Sequence, residues 1–176
     1  IPLCLVGSEM CIRDSSSHKL NAGQMGPRGN IVASRLVKEA ELIIAIGTRL
    51  GFNSTFYSYD NINKNAKIVQ IELEKRMIGR YFPVNVGIHG DAALVTDQIL
   101  AELRKQKKIF NYKEWTNSFL LERSKFLKDR DNIKSKNFPI QPSGLFRELR
   151  KVLPKTTAIT LDAGTLCLQA TDALEY

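Results

Sequence analysis

Three groups of residues that could contact a phosphate-containing ligand each follow an apolar run of the chain. The runs are ELIIAIG (41–47), NAKIVQIE (65–72) and VGIHGD (86–91). The groups at their ends are Gly47, Thr48 and Arg49, then Glu72, Leu73 and Glu74, then Gly90 and Asp91. Glycine lets a ligand approach the backbone, arginine pairs with phosphate, and a carboxylate accepts hydrogen bonds from ribose hydroxyls. The full G-x-G-x-x-G motif is absent, so nucleotide binding and ordinary turn chemistry are both open on these residues alone.

The elements that must position these groups can be predicted from the hydrophobic pattern. Continuous apolar runs of this kind are typical of parallel strands that are buried on both faces. A helix is predicted before the first run, over IVASRLVKEA (31–40), with Asn30 as its N-cap. Another is predicted after the third run, over AALVTDQILAELRKQ (92–106), with Asp91 as its N-cap. This alternation predicts an α/β fold with a Rossmann-like, doubly wound parallel sheet, in which ligands lie beyond the carboxyl ends of the strands.

A second α/β unit is predicted near the end of the sequence. The segment PIQPSGLFRELRKVLP predicts a short helix with Ser143 as its cap and Pro154 as its end. The segment TAITLDAG (157–164) predicts a buried strand, so this stretch has the pattern of the first β-α unit of another domain. The loop after that strand consists of Gly164, Thr165 and Leu166. A helix N-terminus there could bind an anion through its backbone amides, and an ordinary turn is the alternative.

The chain is basic, and its positive charge is concentrated between the two predicted units. Residues 104–155 hold 15 of the 26 lysines and arginines but only five acidic residues. Such a stretch can mark a nucleic-acid or membrane surface. It lacks the glycine-aromatic motifs of RNA-binding proteins, and no segment is apolar for long enough to cross a bilayer. We therefore expect no nucleic-acid partner and no membrane, and a solvated linker whose aromatic residues, Trp115, Phe119 and Phe126, make core contacts.

The first 15 residues do not fit this pattern. The string LVGSEMCIRDS, residues 5–15, is what a transposon-type sequencing adaptor encodes when it is read in frame, so we expect residues 1–15 to be an artefact without stable packing, in coil or a helix with few contacts. An adaptor that enters the gene in mid-frame would make the chain a fragment. Of the three cysteines only Cys167 then remains, which builds no disulfide framework and fits a cytoplasmic protein.

The motifs in their order resemble a known enzyme family. HKLNAGQMGPRGN, EAELIIAIGTRLG, NAKIVQIELEKRMIG and VNVGIHGDA are similar to the central domain of thiamine-diphosphate-dependent enzymes of the acetohydroxyacid synthase type. LFRELRKVLPKTTAITLDAG resembles the opening of their diphosphate-binding domain. GTRLG, KRMIG and VGIHGD are most similar to the sulfoacetaldehyde acetyltransferase branch, because synthases carry a glutamate where Met77 stands. The resemblance covers residues 18–176.

The resemblance implies a set of cofactor-binding positions in this chain. The central domain binds FAD or ADP in some members and nothing in others. The positions that correspond to the family's contacts are Gly26, Pro27 and Arg28 in the first loop, and Gly47, Arg49, Glu72 and Asp91 at the strand ends. Arg28 stands where synthases have histidine, and Glu72 stands where they have aspartate, which argues against a flavin. The alternatives are that Gly47 is a turn residue and that Asp91 is only an N-cap.

The resemblance also implies the chemistry of a longer protein. Thiamine diphosphate with magnesium would act on a small-molecule substrate, either a 2-oxo acid or a sulfonated aldehyde, in a homodimer or homotetramer. Gly164, Thr165 and Leu166 would face the diphosphate. The activating glutamate and the magnesium ligands would lie outside residues 16–176, so we expect this chain to have no catalytic residue or metal ligand of its own and to be inactive alone. The alternative function is a regulatory module that binds FAD or ADP without catalysis.

These observations divide the chain into four segments. They are residues 1–15, the artefact; 16–110, the carboxyl-terminal portion of the central Rossmann-like domain; 111–138, a basic linker with an amphipathic helix; and 139–176, the truncated start of the diphosphate-binding domain.

Overall fold

The computed structural model of the chain describes residues 5–7, 18–26, 29–106, 111–132, 139–154, 156–162 and 164–174. Its elements are, in order, β1 (Leu5–Gly7), β2 (Asn21–Gln24), α1 (Ile31–Glu39), β3 (Leu42–Ile46), α2 (Phe52–Thr55), β4 (Lys67–Glu72), a 3-10 turn (Lys75–Met77), β5 (Val86–His89), α3 (Ala92–Lys105), α4 (Lys113–Asp131), α5 (Pro142–Val152) and α6 (Thr165–Ala173). No helix in these ranges is both long and apolar enough to span a membrane.

The three central strands form one parallel sheet in the order β3-β4-β5. Ile46 pairs with Ile71, and Glu72 pairs with His89, so the carboxyl ends of the three strands are level. Helices flank this sheet, which confirms the predicted α/β, Rossmann-like class for this part of the chain.

Helix α1 begins where the sequence predicts it. The Asn30 side chain accepts a hydrogen bond from the Ala33 amide at 2.8 Å, which satisfies one of the unpaired donors of the first turn. Its amide nitrogen donates to the Ala22 carbonyl, also at 2.8 Å. Asn30 is buried, and it therefore joins strand β2 to the start of α1 as well as capping the helix.

The main core lies between β2, α1, one face of the sheet and α4. Its buried residues are Ala22, Met25, Val32, Ala33, Leu36, Val37, Ala45, Leu50, Ile62, Ile68, Phe82 and Phe119. Trp115 and Phe126 pack against it, which confirms the aromatic residues of the basic segment as core contacts. Arg35 of α1 and Glu122 of α4 form an ion pair at the edge of this contact. Part of the predicted linker thus helps to build the core.

The prediction that the strands are buried on both faces is wrong for β5, none of whose residues is buried, and for β3. Ala45 faces the core, whereas Ile44 and Ile46 on the opposite face are 36% and 46% exposed. Helix α3 packs on β4, but none of its residues is buried. Among the described residues, α3 covers only part of the sheet face that contains Ile44 and Ile46. Part of the apolar surface of the run ELIIAIG therefore stays exposed.

The second unit consists of α5 and α6, which pack around Phe146, Ala170, Ala173 and Leu174. Ser143 is not the cap of α5: the helix starts at Pro142, and Gln141 is its N-cap without a side-chain hydrogen bond. Proline favours the first helical position because its φ is already helical and it has no amide to leave unpaired. Pro154 lies just beyond the end of α5, as the sequence predicts.

The predicted strand TAITLDAG does not form. Its described residues, 157–162 and 164, have no strand conformation, although Ile159 packs against the α5–α6 cluster. A strand is stable only when a neighbour pairs with its backbone N–H and C=O groups, and the described part of this segment pairs with none. The β-α unit is therefore present as a loop and a helix.

Near the start of the chain, Leu5–Gly7 form a strand where the sequence predicts coil or a loosely packed helix. This strand, β1, pairs in parallel with β2, from Leu5 opposite Asn21 to Gly7 opposite Gln24. Residues 1–4 and 8–15 lie outside the described residues, and the adaptor origin of residues 1–15 stays a prediction.

Candidate functional site

The residues predicted at the three strand ends come together in the structure. The Gly47 amide donates to the Ile71 carbonyl at 2.9 Å, and the Gly90 amide donates to the Glu72 carbonyl at 3.2 Å. These bonds continue the pairing of β3, β4 and β5 by one residue each. Gly47, Glu72 and Gly90 therefore stand side by side, and we call them, with Arg49 and Asp91, the strand-end group.

Gly47 gives this group an open stretch of backbone. Its φ is +61°, in the left-handed region that residues with a side chain rarely adopt. No heavy atom lies within 4 Å of the position that a Cβ atom would take. The glycine is thus required by its conformation and not by crowding, and a ligand could approach its backbone closely.

Arg49 is held at the surface by the residue that follows it. Leu50 has a φ of +52°, and its side chain is buried in the main core. The Leu50 amide also donates to the Thr48 hydroxyl at 3.3 Å. Because Leu50 turns inward and anchors this loop, the Arg49 side chain is exposed beside the strand ends.

The two carboxylates of the group have defined local partners. Glu72 Oε1 accepts from the Glu74 amide at 3.2 Å, and Glu72 is half-buried. Asp91 Oδ1 accepts from the Ala93 amide at 2.9 Å and from the Leu94 amide at 3.0 Å, so its predicted role as the N-cap of α3 is confirmed. His89 Nε2 lies 3.0 Å from the Leu73 carbonyl and links the ends of β4 and β5.

Gln70 is a site-building residue that the sequence reasoning missed. It lies in the middle of β4 and is buried. Its Nε2 donates to the carbonyls of Thr48 at 3.1 Å and Met77 at 3.3 Å, and its Oε1 accepts from the Gly79 amide at 2.8 Å. The only signal in the sequence is one polar residue inside an apolar run, KIVQIE.

The first glycine loop packs tightly against the segment that follows β3. Gly26 has a φ of +90°, and a Cβ atom on it would lie 2.2 Å from the Ser54 carbonyl oxygen. Its amide donates to the Ser34 hydroxyl at 3.0 Å, which fixes the loop to α1. Gly26 is therefore explained by packing between α1 and α2. Pro27 and Arg28, its predicted partners in cofactor binding, lie outside the described residues.

Gly164, Thr165 and Leu166 lie in the second unit, at the start of α6. Gly164 is the N-cap residue of α6. No side chain accepts a capping hydrogen bond from the backbone amides of the first turn of this helix. The Cys167 amide donates to the Gly164 carbonyl at 3.0 Å. Such a helix start can accept the diphosphate of a cofactor through its amides and its dipole.

Two surface ion pairs on helices α1 and α5 shift the pKa of one of their members. The side-chain hydrogen bond from Lys151 lowers the pKa of Glu148, and the hydrogen bond to Glu39 raises the pKa of Arg35. Within the described ranges, no three histidine, cysteine or acidic side chains come together in a way that could hold a metal ion.

Comparison with known proteins points to the same family for the central part of this sequence. A family model described as the thiamine pyrophosphate enzyme central domain matches residues 13–99. This range contains β2, α1, β3, β4 and β5 with the whole strand-end group.

Individual relatives extend the match into the second unit. A "Probable sulfoacetaldehyde acetyltransferase" of Rhizobium meliloti is 30% identical over 171 residues, which are 86% of this chain and 29% of the relative. A "Sulfoacetaldehyde acetyltransferase" of Roseovarius nubinhibens is 32% identical over 86% of this chain and 28% of its own length. A "Probable acetolactate synthase large subunit" of Methanococcus aeolicus is 32% identical over 93% of this chain and 29% of its own length. The chain thus spans less than a third of the curated relatives it matches.

Proposed function

Residues 13–99 belong to the thiamine pyrophosphate enzyme central-domain family. On that premise we propose that the strand-end group binds an adenine nucleotide, either as ADP or as the ADP part of FAD. The geometry that supports this proposal is the alignment of an open glycine, an arginine and two carboxylates along the carboxyl ends of adjacent parallel strands. Ligands of open parallel sheets bind at this edge.

Each member of the group has a part in this proposal. The Gly47 backbone allows close approach of the diphosphate, and the exposed Arg49 guanidinium pairs with its charge. Glu72 accepts from the ribose hydroxyls, and Asp91 adds a second acceptor beside the end of β5. We propose ADP in preference to the flavin, since Arg28 and Glu72 replace the histidine and aspartate of the flavin-binding pattern.

Binding of ADP to this group is tested by isothermal titration with ADP and, in parallel, with adenosine. Arg49→Gln should weaken ADP binding roughly tenfold, because it removes one charge-assisted contact. It should leave adenosine binding unchanged, since adenosine has no phosphate. Arg104→Gln, at the end of α3, is the matched control with the same loss of charge. Equal affinities for ADP in Arg49→Gln and the wild type would exclude this arrangement.

We further propose that the chain is part of an enzyme that converts sulfoacetaldehyde and phosphate into acetyl phosphate and sulfite. In this reaction the carbon–sulfur bond breaks with its electron pair leaving on sulfite, and the carbon that carried the sulfonate gains a proton. The aldehyde carbon loses its hydrogen as a proton and forms a bond to a phosphate oxygen. The observation that carries this proposal is the pair of sulfoacetaldehyde acetyltransferase relatives that match 86% of the chain. Thiamine diphosphate, when bound with magnesium, supplies the nucleophilic carbon that acts as the electron sink.

The residues of this chain contribute binding to that reaction. The amides at the start of α6, from Gly164 to Leu166, would contact the diphosphate of the cofactor, because this helix start has no side-chain cap. The strand-end group holds the nucleotide in the central domain. We place the intact enzyme in the cytoplasm as a homodimer or homotetramer.

A second candidate activity is acetolactate synthesis from pyruvate, favoured by the Methanococcus aeolicus relative that matches 93% of the chain. The two activities are separated by purifying the product of the complete reading frame with thiamine diphosphate and magnesium and supplying either substrate. Sulfite release that requires phosphate is the expected result. Acetolactate from pyruvate alone would replace the first proposal by the second, and turnover of neither substrate would contradict both.

A further inference from the structure

We propose that Gln70 is a positioning residue for the nucleotide: it fixes the loop that carries Arg49 to the turn after β4. This inference rests on the proposed nucleotide site at the strand ends. Gln70 itself faces the protein interior, so it acts through the loops and does not touch the ligand.

The amide of Gln70 is used by two different segments at once. The Nε2 atom donates to the Thr48 carbonyl in the loop after β3, at 3.1 Å. The same atom donates to the Met77 carbonyl, at 3.3 Å, and Oε1 accepts from the Gly79 amide, at 2.8 Å, in the turn after β4. One side chain therefore makes all three hydrogen bonds, and its partners are backbone groups of both loops.

The position of Gln70 explains why one residue can reach both loops. It sits two residues before the carboxyl end of β4, the central strand, directly opposite Ala45 of β3. Both loops begin at this edge of the sheet and return over the same face.

The link has a direct consequence for the strand-end group. Thr48 precedes Arg49, so the bond from Gln70 Nε2 restrains the backbone that directs the Arg49 guanidinium. Gly79 has a φ of +69°, and the turn that it closes follows directly on Glu72, Leu73 and Glu74. A change at Gln70 would therefore alter the separation between the arginine and the carboxylate of Glu72, which the nucleotide must span.

The alternative is that Gln70 only satisfies buried backbone groups and stabilises the fold. The two roles can be separated by variants that remove different hydrogen bonds of the side chain. Gln70→Met has nearly the same size but neither donates nor accepts. Gln70→Glu keeps an acceptor for the Gly79 amide, and its carboxylate lacks the donor for Thr48 and Met77. A purely structural role predicts lower stability with unchanged ADP affinity in the folded protein.

The test uses the product of the complete reading frame and two measurements. Hydrogen exchange of the Gly79 and Leu50 amides is recorded without nucleotide, and ADP affinity is measured by titration below the unfolding temperature of each variant. Gln98→Met, at an exposed position on α3, controls for the chemical change. Val37→Ala, in the core on α1, controls for a loss of stability caused by a residue outside both loops.

We expect Gln70→Met to accelerate exchange of the Gly79 amide and to weaken ADP binding, each by roughly tenfold or more. Gln70→Glu should keep the Gly79 amide protected and still weaken ADP binding, and both controls should bind ADP like the wild type. Normal ADP affinity in Gln70→Met would overturn the positioning role. Absence of ADP binding by the wild type would overturn the nucleotide proposal. Unchanged exchange of the Gly79 amide in Gln70→Met would independently overturn the link between the loops.

Discussion

The β3–β5 unit and the α5–α6 unit differ in how their backbone groups are satisfied. In the first unit, each strand has a parallel neighbour, and side chains cap two of the helices, Asn30 for α1 and Asp91 for α3. In the second unit, residues 157–162 pair with no strand among the described residues, and neither α5 nor α6 has a side-chain cap. An apolar run therefore forms a strand only when a neighbouring strand pairs with its backbone, and its hydrophobic pattern alone is not sufficient.

The largest expected difference between the units concerns the burial of isoleucine. Ile71 on β4 is fully buried, whereas Ile159 is only partly covered by the α5–α6 cluster. Ile71→Ala should lower the free energy of unfolding by about 2–5 kcal/mol, through lost burial and a cavity. Ile159→Ala should lower it by less than about 1 kcal/mol, because little area is removed from water there. Urea denaturation of both variants measures the contrast, and equal losses would show that the two units are equally well packed.

Substitution of glycine by alanine should change the free energy of unfolding in opposite directions in the two units. Gly26→Ala forces a Cβ atom onto the Ser54 carbonyl at a φ of +90° and should cost about 2–3 kcal/mol. Gly144 lies in α5, where a Cβ atom would meet nothing within 4 Å. Gly144→Ala should therefore stabilise the protein by about 0.5–1 kcal/mol through helix propensity. Thermal unfolding of the pair gives the signs, and destabilisation by Gly144→Ala would mean that α5 is more crowded than the structure shows.

The helix caps provide a smaller test. Asn30→Ala should lower the free energy of unfolding by about 1–2 kcal/mol, because it removes the acceptor for the Ala33 amide and the donor to Ala22. Gln141→Ala should change it by less than about 0.5 kcal/mol, because the Gln141 side chain makes no capping bond. Chemical denaturation with both variants in one series checks this difference. Similar losses would assign Gln141 a capping role that the structure does not contain.

The smallest effect is expected at the surface of α5. The hydrogen bond from Lys151 lowers the pKa of Glu148, so this pair favours folding above the normal glutamate pKa and the benefit is lost as the pH falls through the lowered value. Lys151→Met should raise the pKa of Glu148 towards its ordinary value. NMR titration of the glutamate side chain measures the change, and an unchanged pKa would show that Lys151 and Glu148 are not paired in solution.

The features that the sequence predicts well are those set by near neighbours. Asn30 and Asp91 cap helices whose amides lie only two or three residues away, so local pattern suffices. The order of α1, β3, β4, β5 and α3 is also predictable, because the three apolar runs of the first unit are one another's partners. Ser143 was the wrong cap because the proline before it has a stronger preference for the first helical position.

The features that could not be predicted depend on distant parts of the chain. Exposure of Ile44 and Ile46 depends on what covers the second face of the sheet, which the run ELIIAIG does not encode. Gln70 has partners 22, 7 and 9 residues away, and its role becomes visible only when two loops fold back over β4. The strand-end group itself was predictable by residue, since parallel strands bring their carboxyl ends to one edge.

The packing of α4 on α1 has a consequence for how freely the two units can move apart. Of the residues between α3 and α5, 19 are taken up by α4, which the core and the Arg35–Glu122 pair hold against the first unit. Arg147 of α5 also donates to the carbonyl of Asp131 at the end of α4. The second unit is thus joined to the first through α4, so a change that loosens the packing of α4 on α1 would also displace α5.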